Sequence, residues 1–269
     1  MSAQSTPFKL EKQGHVAWLI MNRPEKINAM TESFFRGLGE NFKALDEDPE
    51  VRVVVIKGEG KHFTSGLDLF EAASLVSDDS AAGRETLRLK IIQAQESFSA
   101  LERCRKPVIG AAHNRCVGGG VDLMCACDIR MASKDAIFTV METRLAMIAD
   151  LGTLQRLPHI VGHGMARELA FTGRDFTADE ALSMGFITHI CPDSDALFKK
   201  AGDLAEEIAS CPPMAVQGTK ETMIHARDKG VYPSLEYVAQ KNASAIFCED
   251  MTEAVTAFME KRKPVYKGR

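Results

Sequence analysis

Short, continuous runs rich in Val and Ile restrict the fold of this chain more than any other feature. The runs HVAWLIMNRP (15–24) and VRVVVIKGEG (51–60) are each bounded by Pro or Gly, as is typical of buried strands. Between them, residues 31–48 place apolar side chains at helical spacing, and Thr31 is the expected N-cap. Strands that alternate with helices in this way predict an α/β fold with a mostly parallel sheet.

The pattern continues through the next seventy residues. Residues 61–83 are rich in Gly, Ser and Asp and predict a loop, and a long helix is expected from about Glu85 to Cys104. KPVIGAAH (106–113) predicts another strand, and VDLMCACDIRMAS (121–133) predicts a short buried helix that leads into the next strand.

The character of the chain changes at about Leu197. Four consecutive helices are predicted from there, separated by Pro and Gly residues. We therefore divide the chain into an α/β core, residues 1–196, which is expected to carry the active site, and a helical C-terminal region, residues 197–269.

Composition excludes several classes of protein. The chain has 269 residues, of which 45% are hydrophobic and 26% charged, and its net charge of −4 argues against a dedicated nucleic-acid binder. No run is long and apolar enough to span a bilayer. Neither a secretory leader nor a peroxisomal tripeptide is recognisable, so a cytoplasmic protein is expected. The seven cysteines include no C-x-x-C pair and are expected to be reduced, buried thiols.

Two glycine turns that follow predicted strands are candidates for an anion site. Glycines 118–120 stand directly before a predicted helix, where main-chain N–H groups are unpaired and carry partial positive charge. The segment FTSGLDL (63–69) forms a similar turn. Either turn could be a plain reversal of the chain, and Asp68 could simply cap a helix. Together they could direct two N–H groups at one oxygen, which is the arrangement that stabilises an enolate.

Three carboxylates lie in apolar surroundings near the second glycine turn. Asp122, Glu142 and Asp150 could be helix caps or ion-pair partners of Arg144 and Arg156. Placed next to an oxyanion site, they could instead have raised pKa values and exchange protons with carbon. Their spacing alone does not show that they meet.

The remaining candidate side chains are weaker. His113, His159 and His163 have no partner at metal-ligand spacing, and surface or turn positions are expected for them. Cys116 precedes the glycines but lacks the surroundings that activate a nucleophilic thiol.

Six motifs, in order, resemble the enoyl-CoA hydratase/isomerase family, the crotonases. They are NRPEKINAM, HFTSGLDL, GGGVDLMCACDIRMAS, GTLQRLPHIVG, ELAFTGRDFTADEALSMGFITHI and AFMEKRKPVYKG, and the resemblance covers about residues 8–268. It implies a spiral of strand–strand–helix repeats followed by a helical C-terminal trimerisation region. It also implies an acyl-CoA substrate with no metal or separate cofactor, and an assembly of three or six copies.

The resemblance also implies site residues. The oxyanion donors would be the N–H groups of Ser65 and Gly119. Phe258 and Lys261 would reach the CoA of a neighbouring subunit, with the Lys261 ammonium near phosphate. The full set of expected substrate-binding residues is Lys26, Asn28, Ala29, Thr64, Gly66, Leu67, Asp68, Gly118, Phe258 and Lys261.

The carboxylates indicate a subfamily. Hydratases of this family resemble one another in having glutamates at the positions of Asp122 and Glu142, and usually glycine at that of Asp150. The acidic trio here resembles the Δ3,5-Δ2,4-dienoyl-CoA isomerases of fatty-acid β-oxidation. By this resemblance, Glu142 would be the base at C2, Asp150 the acid near C6, and Asp122 a buried neighbour that tunes or orients them. The alternatives are an enoyl-CoA hydratase, or a non-catalytic member that binds acyl-CoA or RNA.

Overall fold

The computed structural model describes residues 6–75 and 78–268, and this part of the chain forms two β-sheets surrounded by helices. The strands are β1 (Phe8–Gln13), β2 (Val16–Met21), β3 (Val53–Gly58), β4 (Val108–Ala112), β5 (Arg115–Val117), β6 (Ile129–Ser133), β7 (Ile137–Thr139), β8 (Asp175–Thr177) and β9 (His189–Cys191). The helices are α1 (Glu32–Glu47), α2 (Leu69–Leu75), α3 (Ala81–Arg103), α4 (Gly119–Ala126), α5 (Thr153–Val161), α6 (His163–Thr172), α7 (Ala178–Ser183), α8 (Ser194–Ala209), α9 (Pro213–Lys229), α10 (Val231–Ala245) and α11 (Glu249–Glu260).

The main sheet is almost entirely parallel. Its order is β1-β2-β3-β4-β6-β9, and only the β1–β2 pair is antiparallel. A smaller sheet has the order β5-β7-β8, with β5 and β7 parallel and β8 antiparallel to β7. The α/β architecture with a helical C-terminal region that the sequence predicts is confirmed.

Burial on both faces explains why the strands read as continuous apolar runs. In β3, Val54 and Ile56 face the core beneath α1 and α3, whereas Val53 and Val55 face α8. A parallel strand covered by helices on both sides needs apolar side chains at every position. No helix among the described residues is both long and apolar enough to cross a membrane.

The predicted helix starts are partly right. Thr31 caps α1, since its Oγ1 accepts the Phe34 N–H at 3.3 Å. Helix α3 begins at Ala81, earlier than predicted, because the Ser80 hydroxyl caps it. The segment predicted as a loop contains α2, so that prediction was wrong there. The Asp68 carboxylate accepts the Glu71 N–H at 3.4 Å and supports the start of α2.

The four C-terminal helices are confirmed as α8 to α11. Helix α8 completes the α/β core, because Leu197 and Ala201 are fully buried against the main sheet. Helix α9 is anchored by Lys220, whose Nζ lies 2.7 Å from Asp128 Oδ2 and donates to the Leu101 carbonyl at 2.8 Å. The helical region therefore shares buried contacts with the core, and the proposed division at residue 196 stays a prediction.

The cysteine prediction holds for most positions. All seven thiols are free. Five are buried, at positions 104, 116, 125, 127 and 191. Cys211 is exposed, and its predicted burial is wrong, because it lies in the short connection between α8 and α9 rather than under a helix.

We expect Lys220→Met to lower the free energy of unfolding by about 1.5–3 kcal/mol, because the Leu101 and Lys106 carbonyls lose a charged donor while the Asp128 carboxylate stays partly exposed to water. Lys199→Met is the matched control, since the Lys199–Asp203 pair is exposed and should contribute less than about 1 kcal/mol. Urea unfolding followed by circular dichroism measures both. Equal midpoints for the two variants would show that Lys220 is not an anchor.

Candidate active site

Two main-chain turns meet at the site, and glycine allows the contact. Gly118 has φ 52° and Gly66 has φ 81°, conformations that glycine adopts at little cost. A Cβ on Gly66 would lie 2.5 Å from the Val117 carbonyl oxygen and 3.3 Å from the Gly119 nitrogen. The structure therefore brings the turn after β3 against the turn that opens α4.

Of the two N–H donors expected for the oxyanion site, the structure leaves Gly119 free but not Ser65. Within the described residues, no atom accepts a hydrogen bond from the Gly119 N–H, which opens α4. The Ser65 N–H donates to the Ile27 carbonyl at 2.9 Å, so the predicted role of Ser65 as a free donor is wrong in this structure. Two residues later, the Leu67 N–H has no acceptor in the part of the chain that the structure describes. Leu67 and Gly119 thus provide one unpaired donor on each of the two turns.

Asp122 lies in the first turn of α4 and is almost completely buried, with 1% exposure. Its Oδ1 accepts the Thr153 N–H at 2.6 Å, which ties α4 to the start of α5. Burial raises the pKa of Asp122 to about 7, and repulsion from Glu142 and Asp150 adds to the effect, while the Thr153 hydrogen bonds oppose it. The carboxyl group therefore holds a proton far more readily than an ordinary aspartate.

Glu142 contacts the glycine turn from the opposite side. It begins the 3₁₀ helix Glu142–Leu145, which follows β7. Its Oε1 lies 3.2 Å from where a Cβ on Gly118 would be, and Oε2 is buried with no hydrogen-bond partner among the described residues. Burial and the nearby Asp150 raise the pKa of Glu142. An unengaged carboxylate oxygen beside an N–H donor can serve as a base.

Asp150 is the most exposed of the three carboxylates and lies just before α5. Partial desolvation raises its pKa. Its main-chain oxygen accepts a hydrogen bond from the Gln95 amide of α3 at 2.6 Å. Asp150 contributes to the raised pKa values of both Asp122 and Glu142, and Glu142 to that of Asp122, so the structure brings the predicted trio near one another.

Asn28 and Thr64 shape the site rather than face a ligand. The Asn28 amide nitrogen donates to three main-chain oxygens in residues 59–63 at 3.0 Å each, and its Oδ1 accepts the Arg23 N–H at 2.9 Å. The fully buried Thr64 hydroxyl donates to the Asn28 carbonyl at 2.8 Å. The polar side-chain atoms of both residues hold the turn, and their place in the substrate-binding set stays a prediction.

The other predicted binding residues differ in accessibility. Asp68 lies 3.5 Å from Arg23 and supports α2, Lys26 is exposed, and Ala29 is buried. Phe258 is 85% exposed at the end of α11, where Lys261 takes a left-handed conformation. Roles for Lys26, Phe258 and Lys261 in CoA binding stay predictions.

The histidines and Cys116 have no catalytic setting. His113 is buried rather than on the surface, and its Nε2 lies 2.9 Å from the Gly60 carbonyl. His159 and His163 are exposed, as expected. Burial raises the pKa of the Cys116 thiol well above its usual range, which disfavours the thiolate. The described residues contain no group of three or more side chains that could hold a metal ion.

Sequence reasoning missed the roles of three residues. Leu67, predicted only as a substrate-binding residue, has a main-chain N–H without an acceptor among the described residues, which no side-chain pattern reveals. Thr153 also acts through its N–H, and only its position after Gly152 at a helix start gave a signal. Gln95 lies in a predicted helix, far in sequence from Asp150, and nothing local marks it.

We expect Asp122→Asn to increase stability more at pH 8 than at pH 5. The folded pKa of Asp122 is about 7 and its ordinary value is 3.8, so the folded state binds the extra proton between these values. Stability from this group therefore falls as pH rises through that window, and Asn, which has no charge, escapes the loss. The gain at pH 8 should exceed that at pH 5 by about 3 kcal/mol, since the loss extends over about two pH units.

Urea unfolding at the two pH values tests this expectation. Asp195→Asn, which removes an exposed carboxylate on α8, is the control and should have the same effect at both. An Asp122→Asn effect that does not change with pH would contradict the raised pKa.

Comparison with known proteins shows similarity over nearly the whole chain. The family model described as Enoyl-CoA hydratase/isomerase matches residues 11–269. The chain is 45% identical over 251 residues to the peroxisomal Delta(3,5)-Delta(2,4)-dienoyl-CoA isomerase of Arabidopsis thaliana, covering 91% of this chain and 90% of the relative. It is also 45% identical over 255 residues to the mitochondrial Delta(3,5)-Delta(2,4)-dienoyl-CoA isomerase of Rattus norvegicus, covering 93% of this chain and 78% of that protein.

A solved structure supports the fold. The crystal structure of an enoyl-CoA hydratase from Bacillus anthracis matches with a TM-score of 0.91 and 32% identity, covering 98% of this chain and all of that one. The expected crotonase-type architecture is confirmed. The chain belongs to the enoyl-CoA hydratase/isomerase family.

Proposed function

We propose that the protein isomerises a 3,5-dienoyl-CoA to a 2,4-dienoyl-CoA. The observation that carries this proposal is the third carboxylate, Asp150, which lies near Glu142 and Asp122 and has a raised pKa. Moving two double bonds along a chain needs a proton removed at one carbon and another delivered several carbons away. The relatives from Arabidopsis thaliana and Rattus norvegicus, both named as dienoyl-CoA isomerases, support the same activity.

The thioester oxygen is held by main-chain N–H groups. We propose the N–H groups of Leu67 and Gly119 as the donors, because both lack an acceptor among the described residues and Gly66 places the two turns in contact. Gly119 also begins α4, whose N-terminus carries partial positive charge. Both donors would stabilise the negative charge that develops on the oxygen once C2 loses a proton.

Glu142 and Asp150 transfer the protons. Glu142 Oε2 is buried and unengaged, so it is suited to accept the proton from C2. The resulting dienolate spreads its charge to C6, where Asp150, in its protonated form, delivers a proton and becomes a carboxylate. One proton leaves C2 and one arrives at C6, so the composition of the substrate is unchanged. Neighbouring carboxylates favour the state in which one is charged and one is protonated.

Asp122 is proposed as a buried neighbour of the reacting groups. Its own contact is with the Thr153 N–H, and it is too deeply buried to reach C6. Its charge depends on that of Glu142, because repulsion between the two raises the Asp122 pKa. A negative charge on Asp122 would therefore favour protonation of the neighbouring carboxylates.

Hydration of a 2-enoyl-CoA is the second candidate, favoured by the structural match to the Bacillus anthracis enzyme titled as an enoyl-CoA hydratase. Asp122 and Glu142 would then hold one water. In this chain, Asp122 already accepts the Thr153 N–H, which leaves it one oxygen for such a role. Simple binding of acyl-CoA or RNA is the remaining alternative, and the net charge of −4 does not favour RNA.

The CoA thioester is the substrate, and the proposed chemistry needs no metal or separate cofactor. Assembly into three or six copies is proposed from the family resemblance and from the exposed apolar side chains of α11, which include Phe258 at 85% and Met259 at 72% exposure. A cytoplasmic location stays a prediction. The two relatives above are named as peroxisomal and mitochondrial.

We expect Asp150→Asn to lower kcat for dienoyl isomerisation by about 10²–10⁴-fold with little change in KM, because Asn cannot supply an acid proton. The assay follows the absorbance of the conjugated 2,4-dienoyl thioester formed from a purified 3,5-dienoyl-CoA. Asp195→Asn on α8 is the charge-matched control and should behave like the unsubstituted enzyme.

Parallel assays on a 2-enoyl-CoA and on an RNA probe separate the alternatives. The proposal is wrong if the unsubstituted enzyme hydrates the 2-enoyl-CoA and has no activity on the 3,5-dienoyl-CoA. Binding without turnover of either thioester would indicate a non-catalytic member of the family.

The oxyanion donors can be tested at Gly119. A side chain here would meet the Met30 sulfur 2.8 Å from its Cβ, so the test uses Gly119→Pro combined with Met30→Ala. Proline is tolerated at the first position of a helix, but it has no N–H. We expect the double variant to lose about 10²-fold or more in kcat relative to Met30→Ala alone. Equal kcat values in two folded variants would exclude Gly119 as a donor.

A further inference from the structure

Asp150 lies in a segment with little regular structure of its own. Residues 146–152 connect the 3₁₀ helix that begins at Glu142 to α5. Ala146 is left-handed at φ 55°, and Ile148 is 79% exposed. A proton donor works only when its distance to the reacting carbon is fixed, and a displacement of about 1 Å can cost about 10²-fold in rate. Something outside this segment must therefore hold it.

Helix α3 supplies one direct contact. Gln95 is half-buried on α3, and its side-chain amide donates to the Asp150 main-chain oxygen at 2.6 Å. The neighbouring turns of α3 are firmly packed, since Ala94, Phe98 and Leu101 are buried in the core. The Gln95 side chain thus connects a rigid helix to the residue that carries the proposed acid.

The same helix makes a second contact just beyond Asp150. Glu102 lies 2.7 Å from Arg156 of α5, and both side chains are largely buried, with 16% and 12% exposure. Arg156 also donates to the Ser99 hydroxyl at 3.1 Å and to the Leu151 carbonyl at 3.4 Å. Helix α3 therefore holds the segment at two places: at Asp150, through Gln95, and at Leu151, through Arg156.

We propose that Gln95 is a positioning residue for Asp150 and that its hydrogen bond to the Asp150 main chain fixes where the acid proton is delivered. The inference rests on the proposed dienoyl isomerisation, because only that reaction uses Asp150 as a remote proton donor. Gln95 does not touch the substrate in this proposal. It acts through Asp150, while the Glu102–Arg156 pair restrains the far end of the segment.

The test compares Gln95→Met with Gln93→Met in the full-length enzyme acting on a 3,5-dienoyl-CoA. Met has a length similar to Gln but no N–H donor. Gln93 lies two residues earlier on the same helix and is exposed in the groove between α1 and α3, so it is a matched control. We expect Gln95→Met to lower kcat by about tenfold or more with KM changed less than about twofold, and Gln93→Met to have neither effect.

A double-variant cycle distinguishes positioning from a general structural effect. If Gln95 acts through Asp150, adding Gln95→Met to Asp150→Asn should lower kcat no further, because the group being positioned is already inactive. Gln95→Glu, which keeps the shape but loses the donor, should reproduce the kcat loss of Gln95→Met.

The outcomes separate this inference from the proposed function. No isomerisation by the unsubstituted enzyme overturns both. Normal isomerisation with equal kcat values for the Gln95→Met and Gln93→Met variants overturns the positioning role alone. Strictly multiplicative kcat losses in the double variant also overturn it, since Gln95 would then act independently of Asp150.

Discussion

The site depends on the close approach of two main-chain turns at Gly66 and Gly119. The 2.5 Å between the Val117 carbonyl oxygen and the position of a Gly66 Cβ leaves no room for a side chain. Main-chain bonds from Met30 to Gly66 and from Asp68 to Met30, of 2.8 and 2.9 Å, align one turn, and the Gly118 N–H bond to Thr139 aligns the other. The N–H donors are therefore positioned by backbone contacts that form with the fold, and substrate binding need not order them.

Around this contact, the protein buries carboxylates that would be more stable in water. Asp122 is 1% exposed and is compensated chiefly by the Thr153 N–H. Glu142 keeps an oxygen with no partner in the described structure. Desolvation and repulsion from neighbouring carboxylates raise the pKa values of Asp122 and Glu142, and raised pKa values are the condition for carboxyl groups to exchange protons near neutral pH. The stability lost here is a consequence of the same burial that makes the groups reactive.

Much of the fold could be predicted because its signals are local. Continuous apolar strands, the Thr31 cap and the Pro and Gly boundaries of the C-terminal helices each depend on a few adjacent residues. Strand β1 has no recognisable apolar pattern in the sequence, because five of its six residues are exposed. Helix α2 was assigned to a loop because its sequence is rich in small residues. In the site, the carboxylates could be identified by their apolar neighbours. The motif does not show which main-chain N–H of this turn is free, because that depends on tertiary contacts. The Ser65 N–H is taken by the Ile27 carbonyl, and the Leu67 N–H is not.

The three carboxylates differ in solvent exposure, and this difference suits the order in which an acyl chain would contact them. Asp122 is buried at the start of α4, Glu142 lies against Gly118 with one unengaged oxygen, and Asp150 is exposed. An acyl chain whose thioester oxygen is held at Gly119 would meet Glu142 first, because that carboxylate contacts the same glycine turn. It would meet Asp150 only further along. A water needs both of its carboxylates at one carbon, so Asp150 would have no part in hydration. Its raised pKa and its tether to α3 are therefore features that a hydratase would not need, and that proton delivery to a remote carbon requires.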